Sequence, residues 1–307
     1  MNQIPILIIS QNSARRRELV ESLKVFSEFR VQIQAGVSGE SVLNNPGIID
    51  LNSFHYLNGR DMLAGEAGCA VAHFQAYRRI IEMDSKWVLI LEDNSRVNAA
   101  VLAKIPTMLS RLDSIKKTEK IPIIIHLFMN NNHFVGKKIY ADQKFFLYES
   151  LTVLRLAKAY LINREAALMG IRAGLPIKDV ADWPHWVLKT KFLVYPYDVV
   201  HIDSAFQSEI DPLNVRHDKK RIVSMTKTTK ILKKILVIVK YLCGYEAIEY
   251  RKMTGLNDYF QWKVRDRALR YASKLLGHAD PLNPNVVLLN VPVLEKFLAK
   301  LKKHGVC

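Results

Sequence analysis

Five apolar residues, Trp87 to Leu91, run without a break into Glu92-Asp93-Asn94. A run with no polar position has no solvent face, so it reads as a strand buried on both sides. Carboxylates at the end of such a strand need a partner or a metal, because a buried charge left alone is costly. In open α/β sheets, ligands bind beyond the carboxyl ends of the strands. Acids placed there can hold a divalent cation, which in turn holds a diphosphate. A solvated Glu-Asp turn that opens the next helix is the competing reading.

The surrounding pattern fits a sheet with crossover helices. Ile4 to Ile9 is a second apolar run, followed by Ser10-Gln11-Asn12-Ser13 and by Ala14 to Val25 at helical spacing, with Ser13 as the expected cap. Arg30 to Gln34 alternates like a strand. The polar, Gly/Asn-rich stretch from Gly36 to Arg60 reads as loop. Glu66 to Met83 carries Ala67, Ala70, Val71, Phe74, Tyr77, Ile80 and Ile81 on one helical side. Ile121 to Leu127, Tyr140 to Tyr148 and Leu151 to Leu156 read as further strands, and Arg164 to Ala173 as a helix closed by Gly174 and Pro176. Strands alternating with helices in the first half predict an α/β fold.

Charge divides the chain. The formal net charge is +16, and the residues after Asn214 hold twenty basic against seven acidic side chains, a net of +13. That asymmetry predicts a domain over 1–213 and a basic, mainly helical region over 214–307 that meets something acidic: nucleic acid, a phosphorylated glycolipid or an anionic membrane. In Lys227 to Leu242 the aliphatic residues Ile231, Ile235, Ile238 and Leu242 share one helical face, with Lys230, Lys233, Lys234 and Lys240 around much of the rest. Basic residues interleaved with aliphatic rather than aromatic ones suit a lipid interface better than nucleic acid, so no nucleic-acid partner is expected. A helix packed on its own domain, its lysines merely solvated, is the alternative. Helical, basic character is expected again over Asp258 to Leu276 and Val291 to His304.

The cysteines Cys69, Cys243 and Cys307 form no CxxC pair and are odd in number, which speaks against a disulfide framework or a zinc knuckle and for a reducing compartment. MNQIPILIIS lacks a basic lead and its apolar run is short for a signal peptide. The expectation is a cytoplasmic protein, peripheral on the inner face of the cytoplasmic membrane.

Two more segments carry candidate chemistry. In Gly65-Glu66-Ala67-Gly68-Cys69-Ala70-Val71-Ala72-His73, small residues let a helix start pack closely on the sheet. Read alone, His73 is a hydrogen-bonded core histidine and Cys69 a small buried hydrophobe. In Pro176 to Trp186, Asp182 lies beside Trp183 and Trp186. Aromatic faces stack on sugar rings and a carboxylate binds or deprotonates a hydroxyl. Two core tryptophans and a turn aspartate would read the same way.

Taken in order, the motifs are Ile9-Ser10 with Arg16-Arg17, Ala35 to Gly39, GEAGCAVAH (65–73), LILED (89–93), AYLINREAA (159–167), ADW (181–183) and Gln207 to Ile210. This order and spacing resembles glycosyltransferase family 25, the lipooligosaccharide biosynthesis transferases of Gram-negative bacteria, over roughly residues 4 to 210. The resemblance implies a GT-A-like fold, a nucleotide-sugar donor, often UDP-galactose, and a divalent metal, typically Mn2+. It implies a lipid-linked oligosaccharide acceptor at the inner membrane face. Carried onto this sequence, it implies donor contacts from Ser10, Arg16, Arg17, Glu66, His73, Glu92 and Asp93, with metal at Asp93 and Asn94. It implies acceptor contacts from Trp183 and Trp186, and Asp182 as general base in an inverting transfer. Asn94 stands where a third acid is usual, which weakens the ligand set, and Ala72 replaces a usual serine before His73. The alternatives are a catalytically weak homologue serving as a binding subunit, or a transferase for another surface glycan.

Overall fold

The computed structural model describes residues 3–58, 60–114, 120–127, 134–142, 145–150, 157–181, 186, 191–194, 200–202, 277–280 and 283–289. Asp182, Trp183, the segment 207–210 and the basic stretches 227–242, 258–276 and 291–304 lie outside these residues, as does the segment 151–156.

From the N-terminus, β1 (Ile4–Ser10) leads through α1 (Ser13–Leu23) to β2 (Phe29–Ala35). Then come α2 (Gly39–Leu43), α3 (Leu51–Asn58), α4 (Ala64–Glu82), β3 (Trp87–Glu92), β4 (Ser95–Val97), α5 (Ala99–Leu102), α6 (Ile105–Ser114) and β5 (Ile123–His126). β6 (Phe134–Asp142), β7 (Phe145–Ser150), β8 (Ala159–Asn163), α7 (Arg164–Ala173), β9 (Lys191–Val194) and β10 (Val200–Ile202) follow, with β11 (Gly277–Asp280) and β12 (Asn283–Leu289) in the C-terminal region.

The chain forms two compact units. The first comprises Met1–Asn130, Tyr140–Leu147 and Arg155–Leu213; the second comprises Asn131–Ile139, Tyr148–Leu154 and Asn214–Cys307. In the first unit the strand order is β9-β5-β8-β3-β1-β2. β1 pairs in parallel with both β2 and β3, β5 is parallel to β9, and β8 is antiparallel to its neighbours β3 and β5. The expected α/β class therefore holds, as a mixed sheet with one reversed strand. A separate short pair joins β4 and β10. In the second unit, β11 and β12 pair antiparallel, and β12 runs parallel to β6 from Val286↔Phe134 to Leu288↔Gly136. The 214–307 region thus contains strands that its helical sequence pattern did not suggest.

Ile6 to Ile9, Val88 to Leu91, Ile123 to Ile125 and Ala159 to Ile162 are all buried, so the centre of the sheet is covered on both faces. Each fully buried Leu or Ile contributes about 1.5–3 kcal/mol of hydrophobic stabilisation. β8 ends in Asn163, which is itself buried. Its Oδ1 accepts from Ala166 N at 3.0 Å and Ile123 N at 2.9 Å, and its Nδ2 donates to Ile121 O at 2.7 Å. One side chain thus caps α7 and fastens β5 to β8.

Two expectations are corrected. The cap of α1 is Asn12, not Ser13: its Oδ1 accepts from Ala14 N and Arg15 N at 3.0 and 3.1 Å. The stretch from Gly36 to Arg60 is not loop throughout, since it holds α2 and α3. Both helices are short, and packing rather than propensity explains them. Val42 and Phe54 join Ile49, Met62, Ala70, Val71, Phe74 and Ile177 in one apolar cluster. Asp50 caps α3 through Ser53 N at 2.9 Å.

Glycines set how closely α2 and α4 approach. A Cβ on Gly39 would sit 1.5 Å from Ala64 O, and one on Gly68 would sit 2.3 Å from Val37 O and 2.9 Å from Gly39 N. The obstacles are backbone atoms, which cannot rotate away. Gly68→Ala is expected to lower the unfolding free energy by about 1–3 kcal/mol, the usual cost of overpacking. Urea denaturation with an unchanged midpoint would contradict this account of the helix contact.

Candidate functional site

β1 lies between β2 and β3, so the chain leaves β1 to one side for β2 and returns to the other side for β3. That reversal opens a crevice beyond the carboxyl ends of β1 and β3, the usual ligand position in such sheets. Ser10 and Asn12 follow β1 there, and Asp93 and Asn94 follow β3. Asp93 N donates to Ile9 O at 3.2 Å, and Asn12 N donates to Asp93 Oδ2 at 3.3 Å. Ser10 is buried and its Oγ donates to Asn12 O at 3.0 Å. The turn after β1 and the acids after β3 are therefore fastened to each other. Asn12 had no place among the expected site residues, although an Asn just ahead of a helix is a recognisable cap signal.

Asn94 has a buried Oδ1 without a hydrogen-bond partner. An orphaned carbonyl-type oxygen on the residue next to Asp93 is, with that carboxylate, the kind of donor set that suits a hard divalent cation, with one charge fewer than two carboxylates would give. Asp93 and Asn94 thus fit the expected metal.

Glu92 does not share that environment. Its carboxylate meets α4: Oε1 lies 3.5 Å from His73 Nε2 and 3.6 Å from Cys69 Sγ. His73 is 1% exposed, and its Nδ1 contacts Tyr160 Oη at 2.7 Å. Tyr160 Oη lies 3.2 Å from Tyr77 Oη, which completes a buried polar chain. Burial acts to raise the Glu92 carboxyl, but the hydrogen bond and charge of His73, with Lys158 and the Cys69 thiol, hold it below its ordinary value. Burial first, then Tyr77, Cys69 and Glu92, push the Tyr160 hydroxyl well above its ordinary value, so it stays protonated. Tyr77 and Tyr160 were missed by sequence reasoning, because an aromatic on an apolar face looks like core.

The other expected residues are distributed as follows. Arg16 is half-buried and Arg17 exposed on the first turn of α1. Glu66 caps α4, accepting from Leu63 N at 3.0 Å, and holds Arg60 through two contacts of 2.5 and 2.8 Å. Its carboxylate is thereby committed to structure, as is His73 in its buried chain. Trp186 is 1% exposed and meets Tyr77 edge-on, with centroids 5.2 Å apart, against Gly170. It is a core residue rather than an open stacking face, because both its surroundings and its burial leave no room for a sugar ring.

Comparison with known proteins gives one family match: glycosyltransferase family 25 (LPS biosynthesis protein), over residues 3–173. No curated protein matches the chain. Among solved structures it is similar to the mannose-1-phosphate geranyltransferase from Thermus thermophilus, at 10% identity and TM-score 0.34, over 64% of this chain and 74% of that one. It is also similar to a glycosyltransferase involved in the glycosylation of the major capsid of PBCV-1, at 10% identity and TM-score 0.26, over 57% and 68%. A third is apo-UDP-glucose pyrophosphorylase, at 9% identity and TM-score 0.34, over 64% and 90%. Likenesses this loose say nothing of function.

The buried polar chain makes a stability prediction. Tyr160→Phe removes the hydroxyl that His73 Nδ1 and Tyr77 both meet, leaving a buried ring nitrogen unpaired. The expected loss is about 1–3 kcal/mol. Tyr77→Phe should cost less, since among the described residues the Tyr77 hydroxyl meets that of Tyr160 alone. Chemical denaturation of the two variants checks the order, and a Tyr160→Phe protein as stable as wild type contradicts it.

Proposed function

The chain belongs to glycosyltransferase family 25, an LPS biosynthesis family, and is a transferase; from that premise we propose that it moves a hexose, galactose foremost, from a UDP-sugar to a lipid-linked lipooligosaccharide or lipopolysaccharide acceptor. The observation that carries this reading is the crevice at the ends of β1 and β3, where Asp93 is fastened to the Asn12 turn and Asn94 offers an unpaired buried oxygen. The arrangement is of the GT-A type, with the donor diphosphate beyond the strand ends and Arg16 and Arg17 on the adjoining helix turn. In this reading Asp93 and Asn94 hold a divalent cation, Mn2+ foremost, which neutralises charge on the departing nucleotide diphosphate. Asp182 takes the proton from the acceptor hydroxyl as it displaces the diphosphate, and Trp183 flanks the acceptor.

Calorimetry with UDP and UDP-sugars in the presence of Mn2+ tests the donor. Binding is expected, and Asp93→Asn should reduce transfer by at least roughly 100-fold while its far-ultraviolet circular dichroism stays native. No heat with any uridine nucleotide at millimolar concentration overturns the donor assignment. The neutral Asn94 in an acidic motif favours one second reading, a catalytically weak homologue that binds donor as a subunit. Donor binding without hydrolysis or transfer on any acceptor would select it.

The net charge of +13 after Asn214 supports docking on the anionic inner leaflet. Near such a surface each Lys contributes about 1 kcal/mol, so four together change partitioning by tenfold or more. Among the described residues no helix is long and apolar enough to cross a membrane. The check is co-sedimentation with anionic vesicles, for wild type and for a variant with Lys230, Lys233, Lys234 and Lys240 changed to Gln. Wild type should bind more tightly and lose binding at high salt. Equal, salt-independent partitioning of the two contradicts the docking.

A further inference from the structure

Cys69, His73 and Glu92 form a cluster that the transfer chemistry leaves unused. Cys69 and His73 are four residues apart on α4 and so project from one helix face, while Glu92 closes the cluster from the end of β3. Their Sγ, ring nitrogen and carboxylate oxygen lie within 4.8 Å of one another.

The spacing gives long hydrogen bonds and also suits three ligands of one ion. A buried imidazole facing a carboxylate closes to about 2.7–2.9 Å when nothing stands between them, yet His73 Nε2 stays 3.5 Å from Glu92 Oε1. The same ring makes a 2.7 Å contact through its other nitrogen, so it is not loosely packed. Around a tetrahedral zinc ion, with Zn–S of about 2.3 Å and Zn–N and Zn–O of about 2.0–2.1 Å, the S···O and N···O edges come to about 3.6 and 3.4 Å. The two edges to Glu92 Oε1 are 3.6 and 3.5 Å, and the third, Cys69 Sγ to the His73 ring nitrogen, lies within 4.8 Å.

We propose that Cys69 Sγ, His73 Nε2 and Glu92 Oε1 bind a zinc-class divalent ion that pins α4 to the end of β3. A thiolate, an imidazole and a carboxylate select a borderline-soft ion over magnesium, calcium or manganese. Binding forms an S–metal bond and releases the thiol proton to solvent. The surroundings supply the outer support such a ligand needs: His73 Nδ1–H donates to Tyr160 Oη, which passes its own proton towards Tyr77 Oη. Cys69 is partly exposed and the Glu92 side chain is 21% exposed, which leaves an entry path and a fourth position for water. Asp93 and Asn94 take no part, so this ion and the one assigned to the donor crevice are distinct.

The test uses the full chain, stripped by chelator and titrated with Co2+, and needs no sugar donor. Wild type is expected to develop the tetrahedral visible bands and the near-ultraviolet thiolate-to-cobalt charge-transfer band, both displaced by Zn2+. Cys69→Ser should lose the charge-transfer band. Cys243→Ser combined with Cys307→Ser should keep it. Glu92→Gln should weaken Zn2+ binding, measured against a chromophoric chelator, by about tenfold or more. Absence of the band in wild type, or its survival in Cys69→Ser, overturns the site. Should Cys69→Ser fail to fold, the double variant decides: loss of the band there assigns the thiolate elsewhere and overturns the proposal equally.

Discussion

The strand β3 is hydrogen-bonded between β1 and β8 and buried along its apolar length, and its polar residues begin where that cover stops. Everything at the candidate site follows from this one transition. Three consecutive residues leave the strand in three environments. Glu92 meets α4 and the His73–Tyr160–Tyr77 chain. Asp93 is taken by the turn after β1 through Asn12 N. Asn94 keeps a buried oxygen unpaired. Glu92 is the last residue of β3 and Asp93 the first beyond it, so these neighbouring acids need not share a ligand. Treating the run as a single acidic site merges Glu92, held on α4, with Asp93, held by the turn after β1.

Helix α4 carries the other half of the arrangement. Gly68 on α4 and Gly39 on α2 let the two helices come within backbone contact, where Val42, Ile49 and Phe54 pack with Ala70, Val71 and Phe74 of α4. Glu66 and Arg60 fix its start. One turn further on, Cys69 and His73 reach Glu92. The small residues, the charge pair and the polar triad of GEAGCAVAH therefore act on one helix in sequence: approach, cap, then attachment to the strand end. The motif reads as a docking device for α4, and its polar members are held by protein partners rather than aimed into the crevice.

What was legible in the sequence was what hydrophobic periodicity reports. Ile4 to Ile9 and Trp87 to Leu91 match β1 and β3 to within one residue, Ile121 to Leu127 contains β5, and the 3.6-residue pattern after Glu66 matches α4 to within two residues at its start and one at its end. The rest was hidden for identifiable reasons. α2 and α3 exist because Val42 and Phe54 are docked into a distant cluster, so local propensity, with Gly39, Asn44 and Gly47 nearby, pointed to loop. β8 is five residues long and runs directly into α7, too short for a period to show, and its reversed direction depends on pairing with β3 and β5. In the same way, the acceptor role expected of Trp186 rested on its chemistry, whereas its position beside Gly170 and Tyr77 is a packing fact. The ends of strands were readable; the partners of side chains were not.

The family match covers residues 3–173, and the basic surplus begins after Asn214. Residues 1–214 hold a net charge of only +3, the difference between +16 overall and +13 beyond. The stretch that carries β1, β3 and their fastened turns therefore contributes little long-range attraction for an anionic donor. Selection of a donor there would have to come from short-range, directional groups. Long-range attraction belongs to the other stretch, where a field of this size raises the local concentration of any acidic surface or phosphorylated acceptor without choosing among sugars. In the proposed function, donor recognition would rest on geometry within residues 1–214 and attraction to an anionic surface on the charge after Asn214, so salt should act on the second far more than on the first.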